Sequence, residues 1–110
     1  MEQLGEIDAV SRSKPVVIFK HSTRCILSRM VEVRLEREWR KEHADKYEIY
    51  HLDLLSERPL SEVIARKYGV EHASPQVLVI SNGRCVYSTS HTGISYDGLM
   101  DEVLLLSDHR

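Results

Sequence analysis

The segment KHSTRCILSR, which spans Lys20 to Arg29, places a cysteine between a short apolar run and a long charged segment. The run before it, PVVIFK, is β-branched and aromatic and begins with a proline, which is typical of a buried strand. From Cys25 to Lys46 there is no glycine or proline, and apolar residues recur at every fourth position, which predicts an amphipathic helix. The residues of this apolar face are Leu27, Val31, Leu35 and Trp39.

Strand and helix signals alternate along the rest of the chain. The predicted elements are a strand at 47–54, a helix at 59–69, strands at 75–80 and 85–90, and a helix at 95–106. Pro59 suits a first helical turn and Gly69 suits a helix end. Asn82-Gly83 is the pair favoured in tight hairpin turns. In the last helix Leu99, Val103 and Leu106 share one face.

The order of these elements is β-α-β-α-β-β-α. A strand, a crossover helix and a second strand imply parallel pairing, whereas the hairpin makes the last pair antiparallel. We therefore expect an α/β protein with a mixed four-stranded sheet and helices on both faces, which is the order of a thioredoxin-like domain. A chain of 110 residues is long enough for one such domain, so we expect residues 1–110 to form a single unit.

Composition narrows the function classes. The formal charge of -2 and the pI near 6.3 give no support for nucleic-acid binding. No segment is long and apolar enough to cross a membrane, and the first residues, MEQLGEIDAV, lack the pattern of a secretory signal. We therefore expect a cytoplasmic protein without a membrane partner. In that compartment the two cysteines are expected to be free thiols.

Cys25 is the candidate nucleophile. At the first turn of a helix it would lie beside unpaired backbone N–H groups and the positive end of the helix dipole, which favour thiolate over thiol. His21, Arg24 and Arg29 add nearby donors or charge. A thiolate attacks disulfides, so this position predicts thiol-disulfide exchange. The alternative is a buried cysteine that only fills space.

Ser28 stands three residues after Cys25, where a two-thiol oxidoreductase would carry its second cysteine. A hydroxyl can donate a hydrogen bond to a thiolate one turn away, but it cannot close a disulfide. The expected chemistry is therefore monothiol, with Cys25 and Ser28 as the catalytic residues. A first-turn serine without a chemical role is the alternative. The other cysteine, Cys85, is expected to be a partly buried structural thiol.

A second informative stretch is HASPQ, from His72 to Gln76. Proline is allowed at the start of a strand, and its bond to the preceding residue can be trans or cis. In a thioredoxin-like arrangement this loop faces the cysteine and leaves the Ser74 backbone free to pair with an extended thiol substrate. His91, in STSHTG, is either a ligand contact or an ordinary surface or capping group.

The spacing of the histidines and cysteines does not indicate a metal site. Six histidines are scattered along the chain without a close-set ligand pattern with the cysteines, so we predict no metal site and no bound cofactor.

The helix after Cys25 carries several arginines, which either attract an acidic group on a thiol, such as a malate carboxylate, or pair with glutamates of the same helix. These arginines are Arg29, Arg34, Arg37 and Arg40, and the glutamates are Glu32, Glu36 and Glu38.

Several short blocks together resemble the YtxJ-like monothiol bacilliredoxins of the bacillithiol system, over nearly the whole chain. The family's HSTxCPIS is similar to residues 21–28, its RPLS to 58–61, its HxSPQ to 72–76 and its SHW to 90–92. Two positions depart from the family, since Ile26 replaces a proline and Thr92 replaces an aromatic residue.

The resemblance implies that Cys25 removes bacillithiol, or a similar low-molecular-weight thiol, from protein mixed disulfides. The partners would be S-thiolated client proteins and small thiols, with the thiol as substrate rather than bound cofactor. The residues assigned to substrate binding are Thr23, Arg24, Ser74, Pro75 and His91.

Two other functions stay open. The segment CILSR also resembles the Cys-x-x-Ser-Arg of glutaredoxin-linked arsenate reductases, in which Arg29 would help to bind an oxyanion. A noncatalytic thioredoxin-like binding module is the third interpretation, because many domains share this fold without its chemistry.

Overall fold

The computed structural model describes residues 2–22, 26–38, 46–54 and 57–108. The helices of this part of the chain are α1 (Glu2–Ser11), α2 (Ile26–Glu38), α3 (Arg58–Tyr68) and α4 (Tyr96–Asp108). The strands are β1 (Val16–His21), β2 (Glu48–Asp53), β3 (Gln76–Ser81) and β4 (Arg84–Ser90), and a 3-10 turn, His91–Gly93, follows β4. None of these helices has the length and apolar character needed to cross a membrane.

The four strands form one mixed sheet in the order β2-β1-β3-β4. β1 is parallel to β2 and antiparallel to β3, and β3 is antiparallel to β4. This arrangement confirms the mixed sheet that the element order predicts. The β3–β4 turn is the expected one, since Asn82 and Gly83 both have positive φ, 51° and 76°, as a two-residue turn of this kind requires.

Helices cover both faces of the sheet, because β1 and β3 are apolar on both sides. On one face Phe19 and Val79 pack with Val31 of α2 and Leu99 of α4. On the other face the core contains the remaining side chains of the central strands together with α1 and α3. Its buried members are Ile7, Val16, Ile18, Leu52, Ile64, Leu78 and Ile80.

The predicted helix boundaries are close to those observed. Leu27, Val31 and Leu35 of α2 face the core as predicted. The helix was predicted to continue to residue 46, but residues 39–45, which include Trp39, lie outside the described residues. Gly69 ends α3 in the left-handed conformation, with φ of 68°.

The helix α1 is an element that the sequence analysis did not predict. It packs Ile7 into the core and is held to the rest of the fold by polar contacts. Asp8 accepts a hydrogen bond from the Tyr68 hydroxyl and pairs with Lys67, both at 2.8 Å. At the end of the helix the buried Ser11 Oγ accepts from the Gly83 N–H at 2.9 Å, which ties α1 to the β3–β4 turn.

This contact predicts that Ser11→Ala destabilises the fold. The substitution leaves the Gly83 N–H without its acceptor and should lower the free energy of unfolding by about 1–2 kcal/mol. Urea denaturation followed by circular dichroism measures the change. Ser13→Ala is the matched control, since its exposed hydroxyl bonds only to the nearby Val10 carbonyl and its loss should cost less than about 0.5 kcal/mol. Equal effects of the two substitutions would contradict the stabilising role assigned to the hydrogen bond between Gly83 and Ser11.

Candidate functional site

The predicted strand-to-helix junction is present. β1 ends at His21 and α2 begins at Ile26, the residue that follows Cys25 in the sequence. Thr23, Arg24 and Cys25 themselves lie outside the described residues, so the roles assigned to them stay predictions.

Ser28 lies in the first turn of α2 and faces inward. Its side chain is only 1% exposed, and its Oγ has no hydrogen-bond partner among the described residues. A buried hydroxyl without a partner is unfavourable unless it serves a neighbouring group. Ile26, two residues earlier, is 77% exposed. The start of α2 therefore presents an apolar side chain outward and a hydroxyl inward.

The segment before β3 forms the second part of the candidate site. The Ser74–Pro75 peptide bond is cis, and Pro75 is buried. The Pro75 carbonyl accepts a hydrogen bond from the backbone N–H of His91 at 3.0 Å. Ser74 is partly exposed, and its backbone makes no hydrogen bond with the rest of the described chain. This leaves the Ser74 backbone able to pair with an extended ligand.

His91 is held in an unusual conformation beside that segment. Its φ is 55°, in the left-handed region that residues other than glycine rarely adopt, and its side chain is exposed. The 3-10 turn that it begins lies against α2, because the Arg34 guanidinium donates to the Ile94 carbonyl at 2.7 Å. The structure thus brings Pro75 and His91 together and connects the turn to the helix that Cys25 precedes.

A groove of about 460 Å³ runs along the outer face of α2. It begins at Ile26, and its lining combines apolar and basic side chains: Ile26, Arg29, Met30, Val33, Arg34 and Arg37. The alternative pairing of these arginines with glutamates of the same helix does not occur among the described residues. Arg40 lies outside those residues.

Cys85 is a partly buried free thiol. Its Sγ donates to the Tyr87 carbonyl at 3.3 Å, and it packs against the α1–α3 side of the core. Burial raises its pKa above the usual value for a thiol. These surroundings disfavour the thiolate, in agreement with a structural role.

A buried polar network on the α3 face was missed by the sequence analysis. Lys20 is completely buried at the end of β1, and its Nζ donates to the Ser61 carbonyl at 3.1 Å. The Ser61 hydroxyl shares a hydrogen bond of 3.0 Å with His72 Nδ1. Burial lowers the pKa of His72, and the charges of Lys20 and Arg58 lower it further. Lys20, Ser61 and His72, which come from three separate parts of the sequence, therefore meet on the α3 face of the sheet.

The buried amine of Lys20 makes stability depend on pH. Burial lowers its pKa from 10.5 to about 8. Between these values the unfolded chain binds more protons than the native one, so the free energy of unfolding should rise with pH across this window. Across this window the free energy of unfolding should increase by at most about 3 kcal/mol more in the parent protein than in Lys20→Met.

Urea denaturation of the protein and of Lys20→Met, below and within this pH window, tests the prediction. The difference between the two proteins removes the titration of groups that they share. Parallel stability curves would show that the Lys20 amine keeps an ordinary pKa in the folded state.

Solved structures place the chain in the thioredoxin-fold class. A protein described as an oxidoreductase with a thioredoxin fold is 28% identical, with a TM-score of 0.71, over 88% of this chain and 85% of that chain. The thioredoxin of Malassezia sympodialis is 21% identical, with a TM-score of 0.70, over 96% and 84% of the two chains. The thioredoxin of Fasciola hepatica is 18% identical, with a TM-score of 0.66, over 94% and 90%. The predicted fold class is thereby confirmed.

A match to a family profile identifies this chain more specifically than the fold does. The sequence profile described as monothiol bacilliredoxin BrxC matches residues 1–99. This chain belongs to that family, as the sequence blocks around Cys25 and Pro75 indicate. The family and the oxidoreductase neighbour together support a thiol oxidoreductase role.

Proposed function

We propose that this protein is a cytoplasmic monothiol oxidoreductase that removes bacillithiol, or a similar low-molecular-weight thiol, from protein mixed disulfides through Cys25. The observation that carries the proposal is the family match together with a Cys-x-x-Ser sequence at the start of α2, where the serine hydroxyl is buried and unpartnered among the described residues.

The first step generates the thiolate. Cys25 precedes α2, so the free N–H groups and positive dipole end of that helix favour a negative sulfur. Ser28 supports the same charge by donating its hydroxyl hydrogen to the thiolate, which also satisfies the buried Oγ. With no cysteine at position 28, this support cannot turn into an internal disulfide.

The exchange then proceeds by attack on the mixed disulfide. The Cys25 thiolate attacks the sulfur of the small thiol, the disulfide bond breaks, and the client cysteine leaves as a thiolate. Cys25 now carries the small thiol as a mixed disulfide. A second thiol molecule, as thiolate, attacks that adduct and restores the Cys25 thiolate, so that the pair of thiols leaves as a disulfide.

We assign binding of the substrate to the Ser74–Pro75 segment and to the turn that begins at His91, whose backbone N–H bonds to the Pro75 carbonyl. The free Ser74 backbone pairs with the extended part of the substrate, Pro75 shapes the groove, and His91 lies next to it. Thr23 and Arg24 contribute from the cysteine segment. Arg29 and the adjoining α2 groove attract an acidic group of the thiol, because these arginines have no glutamate partner among the described residues.

The first test measures reactivity and transfer in one protein. In a Cys85→Ser background, the alkylation rate of Cys25 against pH should give a thiol pKa well below about 8.5, the ordinary value. Incubation with a bacillithiol-modified client should then transfer the bacillithiol mass to Cys25. Cys25→Ser is the control that accepts no adduct.

The alternatives predict different outcomes of the same experiment. An unreactive Cys25 that acquires no adduct, with client binding unchanged in Cys25→Ser, would favour a noncatalytic binding module. Oxidation of Cys25 by arsenate, without thiol transfer, would favour the arsenate reductase interpretation.

Ser28→Ala tests the role of the hydroxyl. Loss of one hydrogen bond to the thiolate should raise the pKa of Cys25 by about one unit, equivalent to about 1.4 kcal/mol. Alkylation against pH measures the shift, and Ser13→Ala serves as the control because its hydroxyl is exposed on another element. An unchanged Cys25 pKa in Ser28→Ala would show that the serine only fills space.

A further inference from the structure

We propose that His21, Glu32 and His51 form a binding site for a divalent transition-metal ion of the zinc class. This site goes beyond the proposed function, and none of its ligands is a cysteine. One ligand atom from each of the three residues lies within 4.8 Å of the other two, so that small side-chain rotations would bring all three within reach of a single ion.

The sheet brings the two histidines together. In the parallel pair of β1 and β2, Phe19 lies opposite His51 and His21 lies opposite Asp53. Alternate residues of a strand share a face, so His21 and His51 are diagonal neighbours on one side of the sheet. Their ring centroids are 5.8 Å apart, and each ring also contacts the ring of Phe19.

The helix α2 adds the carboxylate. Val31 and Leu35 bury one side of α2 against this face of the sheet. Glu32 follows Val31 in the helix, and its Oε2 lies 3.7 Å from His21 Nδ1 at the end of β1. The side chains of His21 and Glu32 are only 13% and 33% exposed, so two of the three donors are partly withdrawn from water.

The surroundings suit a metal ion. Glu32 and His51 line a groove of about 340 Å³, whose other lining residues are the apolar Phe19, Leu35 and Ile49 and the acidic Glu36. Apolar neighbours strengthen the attraction between a cation and its ligands. Two imidazoles and a carboxylate are donors that zinc accepts, and they leave a fourth tetrahedral position for water.

Zinc binding is tested in the full-length chain with Cys25→Ser and Cys85→Ser, so that neither thiol can take the metal. Competition against a chromophoric chelator should show one zinc ion per chain. His21→Gln, Glu32→Gln and His51→Gln should each weaken zinc binding by more than about tenfold. Circular dichroism of each variant confirms that it remains folded.

Matched controls separate this site from general surface binding. His72→Gln removes an imidazole on the opposite face of the sheet, where it bonds to Ser61 of α3. Glu38→Gln removes an exposed carboxylate from α2, about 240° around the helix from Glu32. Both controls should retain the affinity of the parent protein.

A second readout reports the ligands directly. On titration with zinc, the imidazole nitrogen resonances of His21 and His51 should shift, and those of His72 and His91 should not. The proposal is overturned if the parent binds no zinc, if the three substitutions do not weaken zinc binding, or if His72→Gln weakens it as much as His51→Gln. Since the assay contains no reactive thiol, failure of the metal site leaves the outcome for Cys25 unaffected.

Discussion

The structure depends on the burial of β1 between two neighbouring strands and two helical layers. Val16, Val17, Ile18 and Phe19 are at most 1% exposed, because both edges of the strand are paired and both faces are covered. A shift of this strand by one residue would move each of its side chains to the opposite face of the sheet and disrupt both cores. Its fixed register sets the positions of Lys20 and His21 at the end of the strand.

The candidate site depends on a second constraint, which joins segments that are distant in sequence. The antiparallel pairing of β3 and β4 brings Pro75 beside His91, and Arg34 ties the following turn to α2. On the other face, Lys20 and His72 meet at Ser61. Three of the blocks that identify the family, 58–61, 72–76 and 90–92, are thus joined to one another by hydrogen bonds in the fold.

Much of this architecture could be predicted from local patterns. The strands follow from short apolar or alternating runs, and the hairpin at Asn82-Gly83 and the end of α3 at Gly69 follow from residues that tolerate positive φ. The helix α1 was missed because its signal is weak: Gly5 interrupts it, and much of what holds it is polar contact with α3 and the hairpin turn. Those partners are more than fifty residues away, and no local pattern reports them.

Local sequence patterns were enough to predict the order of elements, the thioredoxin-like class and the family, because apolar periodicity and short motifs are properties of neighbouring residues. They also singled out Cys25, Ser28, Pro75 and His91 as candidates. The packing of the folded chain was needed to show that Ser28 is buried without a described partner, that Lys20 is enclosed, and that two histidines and a glutamate from three elements converge. Burial and convergence depend on how strands and helices pack, and side chains distant in the chain become neighbours only through that packing.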